Sequence, residues 1–384
     1  MVQVLFLIRS LNFGGSERQL VMMAAGLKAS GVPVRVATFY EGGPLRDELT
    51  RHGVECRSLK KRTRWDVVGF LWRWIQMARD CRPSVLYAFL GSANLMAIMA
   101  KPWLGHAKIV WSVRASNMDL GQYGWLDRIL FQLECSLARF ADRIIVNSTA
   151  GRDYVAARGF PKDKMVVIPN GIDTERFRPN PSSRERMRKE WGIGGHEFLI
   201  GVVGRLDPMK DQETFVRAAG VMGRQRQDVR FVCVGNGSDE RRQALERLAE
   251  GLGLGKRILW KEAISDVATV YCALDLLTLS SAFGEGFPNV VAEAMACGVP
   301  CVVTDVGDSR MIVGETGIIV PARDPAALSK AWSMVLEWNA EKRALMSRQT
   351  RERIVRHFNV DRMVEATLKE LEQVAGKSLA VVGR

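Results

Sequence analysis

Short apolar runs alternate with longer amphipathic stretches along most of the chain. In the first half the runs are Val2–Ile8, Val32–Phe39, Val85–Leu90, Lys108–Val113 and Arg143–Asn147. The pattern begins again at Phe198–Val203 and continues near Val229–Val234, Arg257–Trp260, Leu276–Leu279 and Pro300–Thr304. Because buried parallel strands are short, apolar and separated by helices, these runs predict α/β sheets covered on both faces. The second start predicts two such domains.

A segment rich in Pro, Gly and Asn, Ile168–Pro181, separates the two series of strands and predicts a hinge. We therefore place the domains at residues 1–172 and 173–360, followed by a C-terminal helix at residues 361–384. The chain has 384 residues, of which 47% are hydrophobic. That length gives each domain enough residues to bury a core of its own.

The cysteines and the N-terminus indicate the compartment. The seven cysteines form no Cys-x-x-Cys pair, and the first apolar run lacks the basic segment and cleavage site of a secretory signal. We therefore expect reduced thiols in a cytoplasmic protein. The apolar run Leu86–Leu104 contains Lys101 and Pro102, so we expect a buried helix there rather than a membrane span.

The net charge of +13 is concentrated in the first half, where residues 1–175 carry 24 Lys and Arg against 15 Asp and Glu. This excess favours an anionic partner. The basic residues are scattered and no nucleic-acid module is recognisable, so we expect no nucleic-acid partner. The basic segment 60–64 (Lys60, Lys61, Arg62 and Arg64) leads into a Trp-rich helix, which is typical of peripheral contact with the inner face of the plasma membrane. A core helix with a solvated entrance is the alternative.

Two glycines follow the first predicted strand. Gly14 and Gly15 allow backbone amides to approach a bound group closely, and Ser16 is placed to cap the following helix, whose N-terminus favours negative charge. The spacing is not that of a dinucleotide fingerprint. A tight strand-to-helix turn that needs a positive φ is the alternative.

Two cations follow the strand at Phe198–Val203. Arg205 comes directly after it, and Lys210 lies after Pro208 at the entrance to the next helix. Open parallel sheets bind ligands at the carboxyl ends of their strands, where a guanidinium and an ammonium suit a diphosphate. Two exposed surface cations are the alternative.

The segment SAFGEGFPNVVAEAMACGVP (281–300) holds two glutamates eight residues apart. We expect Glu285 in a loop, Pro288 at the first helical position and Glu293 within the helix. The first-turn amides expected to face the same crevice are those of Phe287, Asn289 and Val290. An anion site flanked by two carboxylates suits a ligand that combines phosphate with hydroxyls, such as a nucleotide sugar. Two solvated glutamates at an ordinary helix start are the alternative.

Other chemistries are missing from the sequence. There is no Walker A motif, no Asp-x-Asp, no His-Glu-x-x-His and no Gly-x-Ser-x-Gly, and the four histidines lie far apart. We therefore expect neither a metal ion nor a resident cofactor.

Five segments occur in a characteristic order and spacing. They are GGSER at 14–18, GRLDPMK at 204–210, VGNGSD at 234–239, EGFPNVVAE at 285–293 and TDVGDSRMIV at 304–313. Together they resemble the retaining GT-B glycosyltransferases of family 4. The resemblance implies two facing Rossmann-like domains with a cleft between them, the acceptor bound by the first and the sugar donor mostly by the second. It also implies a C-terminal helix that crosses back to the first domain.

The resemblance also implies roles for single residues. Arg205 and Lys210 would hold the donor diphosphate, Glu285 would bind hydroxyls of the transferred sugar, and Glu293 would bind the ribose. The remaining donor contacts would be Gly14, Gly15, Gly286, Phe287, Asn289 and Val290. The relatives are metal-independent and are thought to retain configuration by a same-face displacement, in which the leaving diphosphate takes the acceptor proton.

The sequence departs from the family after the strand at 108–113. Many relatives carry a histidine there, whereas this chain offers Arg114, Asn117 and Asp119. We expect these three residues near the acceptor or the sugar. An ion pair between Arg114 and Asp119 is the alternative for the cation.

The function expected from residues and resemblance together is transfer of a hexose from a nucleotide diphosphate sugar. The acceptor would be a glycan or a lipid-linked glycan in the synthesis of a cell-surface polysaccharide. A nucleotide-sugar epimerase built on the same scaffold and a non-catalytic nucleotide-sugar-binding protein are the alternatives.

Overall fold

The computed structural model describes residues 3–63, 66, 68–114 and 124–380. The chain divides into two compact units. Unit 1 comprises the chain up to Gly171 together with the C-terminal segment from Val360, and unit 2 comprises Ile172–Asn359.

Unit 1 is built on a seven-stranded parallel sheet with the strand order β3-β2-β1-β4-β5-β6-β7. Its strands are β1 (Val4–Ile8), β2 (Val34–Thr38), β3 (Glu55–Ser58), β4 (Val85–Phe89), β5 (Lys108–Val113), β6 (Arg143–Val146) and β7 (Met165–Val167). Its helices are α1 (Gly15–Ala29), α2 (Arg46–Arg51), α3 (Val68–Cys81), α4 (Gly91–Ala100), α5 (Trp125–Leu137), α6 (Thr149–Ala156) and, at the end of the chain, α15 (Val360–Ala375).

Unit 2 is built on a six-stranded parallel sheet with the order β10-β9-β8-β11-β12-β13. Its strands are β8 (Phe198–Val203), β9 (Val229–Val234), β10 (Ile258–Lys261), β11 (Leu276–Leu279), β12 (Cys301–Thr304) and β13 (Ile318–Val320). Its helices are α7 (Pro181–Glu190), α8 (Gln212–Gln225), α9 (Asp239–Gly251), α10 (Val267–Ala273), α11 (Asn289–Ala296), α12 (Ser309–Val313), α13 (Pro325–Leu336) and α14 (Ala340–His357).

The central strand of unit 1 is buried on both faces. In β1, Val4, Phe6 and Ile8 pack into one apolar cluster, whereas Leu5 and Leu7 pack into another on the opposite face. Successive side chains of a strand point to opposite faces, so a continuous apolar run requires helices on both sides. This arrangement confirms the predicted parallel sheet.

The last helix packs within unit 1. Val364 of α15 lies against Gly26 of α1, where a Cβ would come within 2.4 Å of the valine Cγ2. In addition, the Arg143 guanidinium donates to Glu370 Oε2 over 2.7 Å. The two contacts tie α15 to α1 and to β6.

Each sheet has one point at which the order of the strands reverses. In unit 1 this point lies between β1 and β4, and in unit 2 it lies between β8 and β11. Ligands of doubly wound sheets bind at the carboxyl ends of the two strands that flank such a point. The loops after β8 and β11 are therefore where a ligand of unit 2 is expected.

The apolar run Leu86–Leu104 folds as β4 followed by α4 rather than as one helix. No helix within the described part of the chain combines the length and apolarity needed to cross a bilayer. All seven cysteines lie within that part, and none forms a disulfide.

Candidate functional site

Lys210 and Glu285 meet at the strand-order reversal of unit 2. Lys210 follows β8 and Glu285 follows β11. The Lys210 ammonium lies 2.6 Å from Glu285 Oε1, and Ser281 donates its hydroxyl to the same oxygen over 2.5 Å. The lysine side chain is only 16% exposed and the glutamate side chain only 7%. The site therefore holds a largely desolvated ion pair, which costs free energy unless both charges are well matched.

Hydrogen bonds fix the loop that carries Glu285 against the loop after β8. The Ser280 hydroxyl donates to the backbone oxygen of Lys210 over 2.8 Å, and the Ala282 amide donates to that of Met209 over 2.9 Å. The loop after β12 supports the other side, because Thr304 donates its hydroxyl to Ser281 O over 2.7 Å. The three loops thus position one carboxylate and one ammonium.

The backbone at Gly307 is in close contact with the Glu285 loop. A Cβ at Gly307 would lie 2.4 Å from Glu285 O and 2.7 Å from Gly286 O, and its φ is +61°. The adjacent Asp308 amide donates to Gly286 O over 2.9 Å. Only glycine permits this approach without moving the loop.

The residue after Lys210 has an unusual backbone conformation. Asp211 has a φ of +45°, in the left-handed region, and its side chain caps α8 by accepting from the Thr214 amide. A non-glycine residue in this region costs of the order of 1 kcal/mol and is enriched at functional sites. The turn places Lys210 at the entrance to α8, as predicted.

Arg205 does not join the ion pair. Its side chain is 75% exposed, and its guanidinium lies 3.7 Å from the Asp207 carboxylate. A contact of that length between exposed groups contributes little to stability. The guanidinium is therefore accessible at the carboxyl end of β8, where the sequence predicted a phosphate contact.

Glu293 lies within α11 and is held by a residue that the sequence reasoning missed. The hydroxyl of the buried Tyr271 donates to Glu293 Oε2 over 2.8 Å. The predicted helix start was off by one residue, because α11 begins at Asn289 and Pro288 is its N-cap. Pro288 has a ψ of 95°, which is extended rather than helical and places it outside the helix.

The other residues expected at the donor site lie on the same segment. Gly286 and the buried Phe287 connect Glu285 to α11, while Asn289 and Val290 form its first turn. The amides of a first helical turn have no partner within the helix, so this turn is suited to an anion. The assignment of these residues to the donor stays a prediction.

Gly14 and Gly15 lie in unit 1, after β1. One detail of the prediction was wrong, because α1 begins at Gly15 and Ser16 is therefore not its cap. Gly14 is the N-cap and has an extended backbone with φ −164°, so the alternative of a turn with a positive φ does not hold at this residue. A Cβ at Gly14 would lie 2.1 Å from Glu17 Oε2. Glycine suits this position because the Glu17 carboxylate occupies the space that a side chain would need. Burial raises the pKa of that carboxylate.

Arg114 follows β5 in unit 1 and is half-buried. Its guanidinium donates to Ser112 Oγ over 2.7 Å and to Asn170 Oδ1 over 2.5 Å, and it stacks on the ring of Phe89 with the Cζ atom 4.7 Å from the centroid. Desolvation lowers the pKa of Arg114. Asn117 and Asp119 lie outside the described residues, so the alternative ion pair of Arg114 with Asp119 remains untested.

A buried carboxyl group near Arg114 escaped the sequence reasoning. Glu134 of α5 accepts a hydrogen bond from Asn94 Nδ2 over 2.7 Å, and burial raises the pKa of its carboxyl group. Glu134, Arg114 and Ser112 line one cavity of about 130 Å³. A single acidic residue inside a helical pattern gives no sequence signal that it is buried.

The segment expected to contact a membrane is only partly buried, and Val68 and Trp72 of α3 are 83% and 63% exposed. Phe70 and Trp74 of α3 are buried, and Lys61 lies over the Phe70 ring at 5.4 Å. Arg64 and Trp65 lie outside the described residues. The burial favours the alternative that α3 is a core helix with a solvated entrance.

No three His, Cys, Asp or Glu side chains cluster as metal ligands within residues 3–63, 66, 68–114 and 124–380. The expectations that the protein needs no metal ion and no cofactor remain predictions.

Two family models match the chain. The one described as Glycosyltransferase Family 4 matches residues 13–176, and the one described as Glycosyl transferases group 1 matches residues 197–337. Among curated proteins, the D-inositol 3-phosphate glycosyltransferase of Salinispora tropica is 31% identical over 257 residues, which are 62% of this chain and 52% of the relative. The chain thus spans about half the length of the curated relatives that it matches.

Solved structures confirm the predicted GT-B fold. Anabaena HepE, crystallised with UDP-glucose, superposes with a TM-score of 0.84 at 21% identity and covers 97% of this chain and 100% of its own. Sucrose-phosphate synthase from Thermosynechococcus elongatus gives a TM-score of 0.78 at 20% identity and covers 98% and 100%. At these identities the likeness concerns the fold of the two Rossmann-like units and not their chemistry.

Proposed function

Because the chain belongs to the glycosyltransferases, with a family 4 domain in its first half and a group 1 domain in its second, we propose that it transfers a hexose from a nucleotide diphosphate sugar. The acceptor is a glycan or a lipid-linked glycan in the synthesis of a cell-surface polysaccharide. The reaction retains anomeric configuration, needs no metal ion and takes place at the cytoplasmic face of the membrane.

The observation that carries the proposal is the buried pair of Lys210 and Glu285 at the strand-order reversal of unit 2. A nucleotide diphosphate sugar supplies an anion for the ammonium and hydroxyl donors for the carboxylate. A hydrolase would need two carboxylates that face one bond. In this chain one carboxylate is paired with Lys210 and the other is held by Tyr271.

The proposed step balances without a cofactor. The bond between the anomeric carbon and the diphosphate oxygen breaks as the acceptor oxygen attacks on the same face. The acceptor proton passes to the leaving phosphate oxygen. Lys210 and the exposed Arg205 stabilise the charge that develops on the diphosphate, and Glu285 holds the sugar through its hydroxyls. Positioning and electrostatic stabilisation are thus the main tasks of the protein.

The test begins with UDP-glucose, since HepE was crystallised with that donor, and includes other nucleotide sugars. Each is incubated with the full chain and a membrane lipid extract, and the anomeric configuration of the product is read by NMR. Release of nucleotide only in the presence of extract, with retained configuration, supports the proposal. Conversion of the donor without any acceptor indicates an epimerase instead, and donor binding without turnover indicates a binding protein.

Two substitutions separate binding from transfer. Glu285→Gln should lower the rate of transfer by about 100-fold or more, because a preorganised polar contact to the sugar is lost, while UDP affinity changes little. Lys210→Met should weaken UDP binding itself by about tenfold or more. Lys330→Met, at an exposed position of α13, is the matched control. Full UDP affinity in Lys210→Met would refute the assigned role of the lysine.

A further inference from the structure

Helix α5 carries large apolar side chains on the face that points to solvent. Glu134 and Ala138 are buried and mark the face turned toward the core. Trp125, Ile129 and Leu133 recur every four residues on the other side and are 73%, 47% and 46% exposed. Side chains spaced by four residues lie one above the other on a helix. The helix therefore has an outward apolar face as well as an inward one.

The apolar row continues beyond the end of α5. Phe140, seven residues after Leu133, is also 46% exposed. We call Trp125, Ile129, Leu133 and Phe140 the α5 stripe. Single exposed apolar residues are normal on protein surfaces, whereas three large ones on one face of a helix and a fourth in the turn that follows favour a binding surface.

Cations surround the Phe140 end of the stripe. The Arg139 guanidinium lies over the Phe140 ring, with its Cζ atom 5.0 Å from the centroid. The Lys101 ammonium donates to Phe140 O over 2.7 Å, and the Lys164 ammonium donates to Arg139 O over 2.7 Å. One carboxylate, that of Asp142, balances Lys101 at 3.1 Å. The end of the stripe is therefore net positive.

A second exposed aromatic lies on the neighbouring turn. Trp103 is 51% exposed and belongs to the 3-10 turn Lys101–Trp103, whose lysine contacts Phe140 O. Tryptophan beside cations is typical of the boundary between lipid headgroups and acyl chains. A lipid surface with anionic headgroups would cover the apolar row and neutralise its positive end.

We infer that the α5 stripe docks this chain on an anionic lipid leaflet, with the helix lying in the plane of the interface and Phe140 next to the headgroups. The inference rests on the proposed function, which requires a lipid-linked acceptor. It assigns the membrane contact to α5 rather than to the segment 60–75. The apolar row enters the headgroup region, while Lys101, Arg139 and Lys164 attract anionic headgroups.

The experiment measures binding of the full chain to phosphatidylcholine vesicles with and without phosphatidylglycerol. The wild type should bind the anionic vesicles, and binding should weaken as salt is raised. Ile129→Gln with Leu133→Gln should lower the partition coefficient at least about tenfold, because two large apolar side chains no longer enter the interface. The control is Met334→Gln with Leu345→Gln, which removes two equally exposed apolar residues from unit 2.

Three outcomes would overturn the inference. The wild type fails to bind anionic vesicles, the control variant loses binding as strongly as the stripe variant, or the stripe variant changes only the oligomeric state in sedimentation velocity. The last outcome would make a second copy of this chain the partner. Stabilisation by UDP, measured on the same samples, distinguishes failure of the docking inference from failure of the proposed function. Vesicle binding without binding of any nucleoside diphosphate or nucleotide sugar tested would leave the docking surface intact and refute the proposed function. Transfer from a nucleotide sugar without vesicle binding would do the reverse.

Discussion

The buried pair of Lys210 and Glu285 should contribute measurably to the free energy of unfolding of unit 2. Lys210→Met keeps most of the lysine stem and removes its charge, so that the Glu285 carboxylate stays buried with Ser281 as a remaining donor. Removing one partner of a fully buried ion pair costs about 3–5 kcal/mol. Since the lysine side chain is 16% exposed and Ser281 still donates, we expect a loss of about 2–3 kcal/mol in unit 2.

A second substitution should restore most of that loss. Glu285→Gln in the Lys210→Met background removes the uncompensated charge, and the amide oxygen still accepts from Ser281. We therefore expect the double variant to lie within about 1 kcal/mol of the wild type. Because Glu285→Gln alone leaves the buried Lys210 ammonium without its carboxylate and also costs stability, the coupling between the two positions should be at least about 2 kcal/mol. Two charges that merely lay close together in solvent would show a coupling below about 1 kcal/mol.

Native-state hydrogen exchange by mass spectrometry is the appropriate assay, because the two units need not unfold together and a single melting temperature would mix them. Amides of β11 and α11 should exchange about 30-fold faster in Lys210→Met than in the wild type, which corresponds to about 2 kcal/mol. Those of β1 and β4 should not change. Equal exchange in wild type and Lys210→Met, or a double variant no better than the single one, would refute the reasoning.

Three further predictions concern groups that support the site. Gly307→Ala should destabilise unit 2 by more than about 1 kcal/mol and weaken UDP binding. The control Gly253→Ala has a similar φ of +72° but open space around it, so it should cost only its backbone strain. Equal effects of the two substitutions in binding assays would contradict this prediction. Tyr271→Phe removes the phenol that donates to Glu293, so it should lower the free energy of unfolding by about 1.5–3 kcal/mol in denaturant titrations. It should also reduce UDP affinity. Unchanged UDP affinity would contradict the placement of Glu293 at the ribose. Burial raises the pKa of Glu134, so the contribution of this carboxyl group to stability should be fully present below its unfolded pKa of about 4.5 and should be lost as pH rises through the folded pKa. Glu134→Gln should remove that pH-dependent contribution, and parallel pH profiles of the melting temperature in wild type and variant would contradict the assignment.

The central strands of both sheets could be predicted from the sequence because they are continuous apolar runs. β5, β8 and β9 begin and end at the predicted residues. The strands that were not predicted, β3, β7 and β13, all lie at sheet edges. β7 and β13 are apolar but have only three residues each, too few for a recognisable run, and in β3 only Cys56 is apolar.

The candidate donor-site residues could be named one by one from the sequence, but the side chains that they contact could not. Lys210 and Glu285 are 75 positions apart, and Tyr271 comes 22 positions before Glu293. No local spacing connects such pairs, because the order of strands brings them together. The same reason explains why α5 was overlooked: the sequence around residues 125–140 reads as an ordinary core helix until the structure shows which apolar side chains remain outside.

The pairing of Lys210 with Glu285 also limits which ligands the site can accept. A group that offered only phosphate would contact the ammonium but offer no hydroxyl to the Glu285 carboxylate, so it would bind through one half of the pair alone. A group that offered only hydroxyls would satisfy the carboxylate but compete poorly with a cation at 2.6 Å. A ligand that presents a diphosphate and sugar hydroxyls side by side replaces both halves of the ion pair at once. The unliganded pair is thus already arranged for the two ends of the bond that the proposed reaction breaks.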